Sequence, residues 1–168
     1  MSPSPIRLLF LCTHNSARSI MAEAILNHLA HQNWIGYSAG SHPSGVINPL
    51  ALEVLERNEV PTKMLHSKNW LEFAQPEAPV MDLVVTVCDQ AAGEMCPIWP
   101  GGPLKAHWGL PEPGARAAGL SHEEGVAIFQ EIFNTLHLRL QRLVNLPLET
   151  LSLREIRDEI HLLNGSEG

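Results

Sequence analysis

Ile6 to Leu11 is a short apolar run bounded by Pro5 and by polar residues, which predicts a buried strand. Cys12-Thr-His-Asn15 follows, and Ser16 to His31 then carries Ile20, Ala24, Leu26 and Leu29 near helical spacing. A strand that passes through a few polar residues straight into a helix constrains this chain more than any other segment. A backbone wound through such a turn aims successive N–H groups inward, and the helix adds the positive end of its dipole. The predicted product is a cradle for a tetrahedral oxyanion, made by Thr13, His14, Asn15, Ser16, Ala17, Arg18 and Ser19.

The residue types in the cradle point to nucleophilic chemistry. A cysteine at the base of such a loop, here Cys12, is favoured as the thiolate, the form that attacks. Arg18 supplies a planar fork that holds two oxyanion oxygens at once, a geometry that lysine cannot match. The Ser19 hydroxyl is placed to donate to the thiolate, and Asn15 is suited to brace the loop from within.

Further along, Trp34 to Ala39 reads as a second strand ending at Gly40, and Asn48-Pro49 as an N-cap before a helix over Leu50 to Asn58. Ser67 to Phe73 reads as a short helix. Leu83-Val-Val-Thr-Val87 is the strongest strand signal, and Cys88 follows it directly. A short strand over Lys105 to Trp108 comes next, with Trp108 expected near the rim of the site. Ser121 caps a long helix to Val144, with Glu123 and Glu124 in its first turn. Pro147 interrupts, and a last helix spans Leu151 to Leu163, free to dock on its own domain or on a neighbour's.

Alternating strands and helices predict an α/β domain with a four-stranded parallel sheet. A single domain is expected over residues 1–168, with the catalytic fold at about 6–145 and a C-terminal helical extension at about 148–163. In such a sheet functional loops gather at the C-terminal ends of the strands, where Cys12 and Cys88 both fall.

Composition removes several classes. With 11 Lys+Arg against 18 Asp+Glu the net charge is −7, which suits neither general nucleic-acid binding nor attachment to an anionic membrane. No run approaches the roughly 18 apolar residues of a membrane span, and the first residues supply no basic leader, so a cytoplasmic, reducing setting is expected. Three cysteines, Cys12, Cys88 and Cys96, fit neither a secreted disulfide framework nor a four-cysteine zinc module. Nine histidines are scattered without metal-ligand spacing.

The chain resembles the arsenate reductases built on the low-molecular-weight tyrosine phosphatase fold. The resemblance rests on L-F-L-C-T-H-N-S-A-R-S-I-M-A-E (Leu9–Glu23), Y-S-A-G (Tyr37–Gly40), N-P-L-A (Asn48–Ala51), D-L-V-V-T-V-C-D (Asp82–Asp89), C-P from Cys96 and H-W-G-L-P (His107–Pro111). It covers about residues 6 to 145. It implies a four-stranded parallel sheet flanked by helices and the reduction of arsenate to arsenite, with phosphate or sulfate as analogues. It also implies the roles: Cys12 attacks arsenate held by the loop and Arg18, Cys88 attacks Cys12 and expels arsenite, and Cys96 attacks Cys88. No bound cofactor is implied. An external thiol reductant completes the cycle, either thioredoxin or glutaredoxin with glutathione.

Three departures from the family pattern carry expectations of their own. Seven residues separate Cys88 from Cys96, one more than the thioredoxin-coupled pattern has. Pro111-Glu112-Pro113 stands where Asp precedes proline, so Glu112 becomes the candidate general acid, with a solvated loop carboxylate as the plain alternative. Members with a potassium site use an Asn, a Glu, a Ser and an Asp. Asn15, Glu23 and Ser38 match the first three, and Lys68 takes the fourth place, so its ammonium is expected to replace the ion.

Two rivals stand beside the reductase. A tyrosine or small-ester phosphatase would use the same Cys12 and Arg18 but needs neither Cys88 nor Cys96. A module binding arsenite or a soft metal through three thiolates would have no use for Arg18.

Overall fold

The computed structural model describes residues 4–30, 32–88 and 99–165. Four parallel strands form the sheet among these residues: β1 (Ile6–Cys12), β2 (Trp34–Gly40), β3 (Leu83–Thr86) and β4 (Leu104–His107), in the order β2-β1-β3-β4. The α-helices are α1 (Arg18–Leu29), α2 (Pro49–Arg57), α3 (Pro113–Ala117), α4 (His122–Val144) and α5 (Leu153–Leu162).

β1 is apolar from Leu8 to Cys12 because both faces of that stretch are covered. Leu8, Phe10 and Cys12 face a cluster that includes Met21 and Ile25 of α1, Leu55 of α2, Phe129 and Leu136 of α4, and Ile160 of α5. Leu9 and Leu11 face Trp70, Phe73, Met81, Val84 and Trp99. The central position of β1 puts Cys12 at the C-terminal edge of the sheet, between the ends of β2 and β3.

Sequence signals for the helix ends are realised in side-chain bonds. The Asn48 side chain accepts from Leu50 N–H at 2.9 Å, ahead of Pro49. Ser121 with Glu124, and Ser152 with Glu155, form reciprocal capping boxes on α4 and α5.

Several boundaries differ from expectation, each for a local reason. α1 begins at Arg18 rather than Ser16, since the Ser16 carbonyl is drawn to Asn48 N–H and Ala17 lies outside helical torsions. It ends at Leu29, and His31 lies outside the described residues. Between Ser67 and Phe73 only a 3-10 turn over Trp70–Ala74 forms, capped by the Asn69 side chain, because Ser67 and Lys68 are bonded to the loop after β1. α3 was not anticipated. Its cap is Glu112, a residue type that seldom serves there.

Trp108 is fully buried rather than at a rim, with its ring 6.1 Å from that of Phe10. The last helix docks on its own chain, with Ile156 and Ile160 buried against the main cluster. No helix among the described residues is long and apolar enough to cross a membrane.

Candidate active site

The loop between β1 and α1 is gripped from outside by its carbonyls. Thr13 O accepts from His42 N–H at 2.8 Å, His14 O from Ser44 N–H at 3.1 Å and from the Ser67 hydroxyl at 3.3 Å, and Ser16 O from Asn48 N–H at 2.9 Å. In a trans peptide the next residue's N–H points the opposite way. The amides of His14, Asn15 and Ala17 are therefore turned to the concave side of the loop. α1 adds to this surface, since Ala17 offers no side-chain cap and the first turn holds no acidic residue.

Asn15 braces the loop from within. It adopts φ 47°, a left-handed conformation that asparagine tolerates better than most residues. Its Oδ1 accepts from Lys68 N–H at 2.8 Å and its Nδ2 donates to Ser19 Oγ at 2.8 Å. Ser19 Oγ also shares a hydrogen bond with Cys12 Sγ, 2.8 Å away, which the hydroxyl donates when the sulfur is a thiolate. All three side chains are buried, so the Asn15–Ser19–Cys12 chain sits where hydrogen bonds are strong.

The Y-S-A-G segment brings β2 against the loop's back. A Cβ on Gly40 would lie 2.5 Å from Thr13 O and 2.9 Å from Cys12 O, so only glycine permits the approach. Gly40 N–H also donates to Lys68 O at 3.0 Å.

Cys88 stands one residue past the β1–β3 ladder, which Val87 N–H extends by donating to Leu11 O at 2.8 Å. This brings Cys88 beside the loop, its sulfur 3.7 Å from the Thr13 hydroxyl. Both cysteines are reduced and buried, and adjacent strands lie about 4.8 Å apart. Cys96 lies outside the described residues.

Arg18 is half-buried at the start of α1, and its Nη1 donates to Leu110 O at 3.0 Å. That bond uses one of five N–H donors. Glu112, two residues on, is exposed and caps α3: Oε1 accepts from Gly114 N–H at 2.9 Å and Oε2 from Ala115 N–H at 2.6 Å. His14 is exposed, and His107 shares a 2.7 Å bond with the Thr86 hydroxyl between the ends of β3 and β4.

Asn15, Glu23, Ser38 and Lys68 do come together. Lys68 Nζ donates to Ser38 O and His66 O, both at 2.9 Å, and to Ser38 Oγ at 3.4 Å. It lies 3.5 Å from Glu23 Oε1, which also accepts from the Ser38 hydroxyl at 2.5 Å. These residues do not fit a potassium ion, because an ammonium already occupies the oxygen cluster. Away from the site and among the described residues, Glu53, His122 and Glu123 form a group of possible metal ligands. Arg57 donates to both carboxylates, which makes the group an ion pair between α2 and α4.

Sequence reasoning did not find Gly40, His42, Ser44 and Ser67 as supports of the loop, nor Leu110 as the partner of Arg18. Four of these five act through backbone atoms, which leave no mark on residue type. Gly40, at the end of a strand signal, was the one with a readable trace.

Comparison with known proteins adds to this geometry. A family model described as low molecular weight phosphotyrosine protein phosphatase matches residues 7–157. An arsenate reductase of Shouchella clausii is 35% identical over 133 residues, covering 79% of this chain and 91% of its own. A solved thioredoxin-dependent arsenate reductase of Corynebacterium glutamicum is 28% identical with a TM-score of 0.59, over 85% of this chain and 62% of that longer one. An arsenate reductase solved in a phosphate-binding state shares the fold, with a TM-score of 0.65 at 22% identity over 83% of this chain and 96% of its own.

Proposed function

Since the chain belongs to the low molecular weight phosphotyrosine protein phosphatase family, and within it to the arsenate reductases, we propose that it reduces arsenate to arsenite with Cys12 as nucleophile. The observation that carries this reading is the second buried thiol, Cys88, held beside the oxyanion loop by the register of β1 and β3. A phosphatase needs one cysteine here and gains nothing from another.

Arsenate enters the cradle of inward amides, with Arg18 on its equatorial oxygens. The Cys12 thiolate, held by the Ser19 hydroxyl, attacks arsenic, forms an S–As bond and releases one arsenate oxygen as water. Cys88 then attacks Cys12 Sγ. An S–S bond forms, the S–As electron pair passes to arsenic, and arsenic leaves as arsenite, reduced by two electrons. Cys96 attacks Cys88 and frees Cys12, which transfers the oxidation to a Cys88–Cys96 disulfide. An external dithiol returns two electrons and two protons.

Thioredoxin is the reductant we assign, supported by the dependence of the Corynebacterium glutamicum relative on it. Turnover with glutaredoxin and glutathione alone would contradict that assignment. The reaction belongs in a reducing, cytoplasmic compartment, where such a carrier is kept charged. Glu112 becomes the proton donor for the leaving oxygen only after its carboxylate leaves the α3 cap, which it holds in acceptor form. Lys68 takes the place of a potassium ion, a fixed charge tied to Glu23 and Ser38.

Arsenate reduction with thioredoxin, measured beside hydrolysis of an aryl phosphate, separates the two activities of one loop. Cys88→Ser is expected to abolish arsenate turnover and to leave any aryl phosphate hydrolysis within about twofold. Cys12→Ser is expected to abolish both. Arsenate turnover that survives Cys88→Ser would overturn the reading.

A further inference from the structure

Three consecutive residues after β4 carry bonds in two directions. Trp108, fully buried, donates through Nε1 to Ile160 O of α5 at 2.6 Å. Gly109 N–H donates to Asn164 Oδ1 at 2.7 Å, just beyond α5. Leu110 O accepts from Arg18 Nη1 at 3.0 Å, on the other side, at the oxyanion loop. The far end is anchored too. Asn164 O accepts from Nη2 of Arg139 at 2.8 Å, and Arg139 is a fully buried α4 residue whose guanidinium carbon lies 5.7 Å from the Trp108 ring centroid.

We propose that the segment from Leu153 to Asn164 is a positioning element for Arg18, with Asn164 as the residue that sets it. The sheet ladder fixes Trp108, whose N–H reaches Thr86 O at 2.8 Å, and it goes no further. Gly109 has no side chain to hold it, so the Asn164 amide oxygen is what fixes its backbone. That bond holds the Trp108–Gly109 peptide, two peptide units before the Leu110 carbonyl, and so limits where the carbonyl can meet the Arg18 fork. A bidentate guanidinium is sensitive to direction in a way that a point charge is not. The C-terminal helix thereby presets an arginine at the opposite end of the chain for a tetrahedral oxyanion. This inference rests on the reading of Arg18 as an oxyanion ligand.

Phosphate affinity of the full chain, read by calorimetry well below the melting temperature, tests it apart from turnover. Asn164→Ala is expected to weaken phosphate binding and raise the arsenate KM about fivefold, the worth of one hydrogen bond. Asn164→Asp keeps an acceptor in place and is expected to restore both. In an Arg18→Lys background, Asn164→Ala is expected to change phosphate affinity no further. Unchanged affinity in Asn164→Ala, failure of Asn164→Asp to rescue, or a full fivefold loss in the Arg18→Lys background would each overturn the proposal. A wild type that binds phosphate yet reduces no arsenate contradicts the functional reading alone, and one that binds no phosphate contradicts both.

Discussion

Lys68 is the side chain we propose in place of a bound ion. Its ammonium is nine-tenths buried among Ser38 O, Ser38 Oγ, His66 O and Glu23, and its own backbone N–H holds the Asn15 amide that orients Ser19. Removing such a charge would leave the partly buried Glu23 carboxylate with the Ser38 hydroxyl but no cation, which is the costly direction for an internal ion pair. A tethered cation cannot dissociate, so the protein is expected to ignore the choice of salt. Exchanging sodium for potassium at equal ionic strength should leave the arsenate reduction rate unchanged and the melting temperature within about 1 °C. A saturating ion would add about 2.7 kcal/mol at 100 times its Kd, several degrees for a chain this size. A clear rise in either quantity with potassium would contradict the account. The loop that joins Cys12, Arg18 and Ser19 was legible, because the three stand at fixed spacing between a strand and a helix. Leu110 and His42 were not, since any residue can offer a carbonyl or an amide.

Elements bring their own constraints to the site. β2 presses Gly40 against the loop, and a methyl group there would meet backbone oxygens 2.5 and 2.9 Å away. Gly40→Ala is expected to destabilise the fold by about 1–3 kcal/mol and to cut arsenate turnover at least tenfold at temperatures where the variant is folded. Circular dichroism melting with the arsenate assay would check this, and turnover near the wild-type rate would show that the loop does not need β2. Elsewhere α2 and α4 are joined by Arg57, which pairs with Glu53 and Glu123, and by His122, which bonds Glu53 at 3.0 Å. The bond from His122, followed by that from Arg57, holds the Glu53 carboxyl below its ordinary value of 4.5. Arg57 does the same to Glu123. A folded value below the unfolded one means that the stabilisation is present above pH 4.5 and is lost as pH falls through the folded values. At pH 7 Glu123→Gln should lower the melting temperature by about 1 °C, less in high salt. The difference should close below pH 4.5, and one that widens in acid would contradict the sign. Capped helices such as α4 were legible from Ser121 and Glu124, whose types name their roles. α3 was hidden by a glutamate acting as a cap, and the helix expected over Ser67–Phe73 gave way because its first two residues bond to the loop instead.

The whole molecule is arranged so that one edge of a parallel sheet gathers groups from distant parts of the chain. Cys12 leaves β1, Cys88 leaves β3, and the H-W-G-L-P segment leaves β4, all at the same edge. Strand alternation made that edge visible in the sequence, as parallel α/β sheets place their loops this way. The docking of α5 across the back of the H-W-G-L-P segment was not visible, since an amphipathic helix states which face it buries and not against what. In the reaction we propose, Cys88 rather than water resolves the Cys12–arsenic intermediate. A single turnover with arsenate and no added thiol, followed by titration of free thiols in the unfolded protein, measures this directly. One equivalent of arsenite per chain is expected, with one free thiol remaining of the three. Three free thiols and no arsenite from a properly folded, phosphate-binding protein would contradict it.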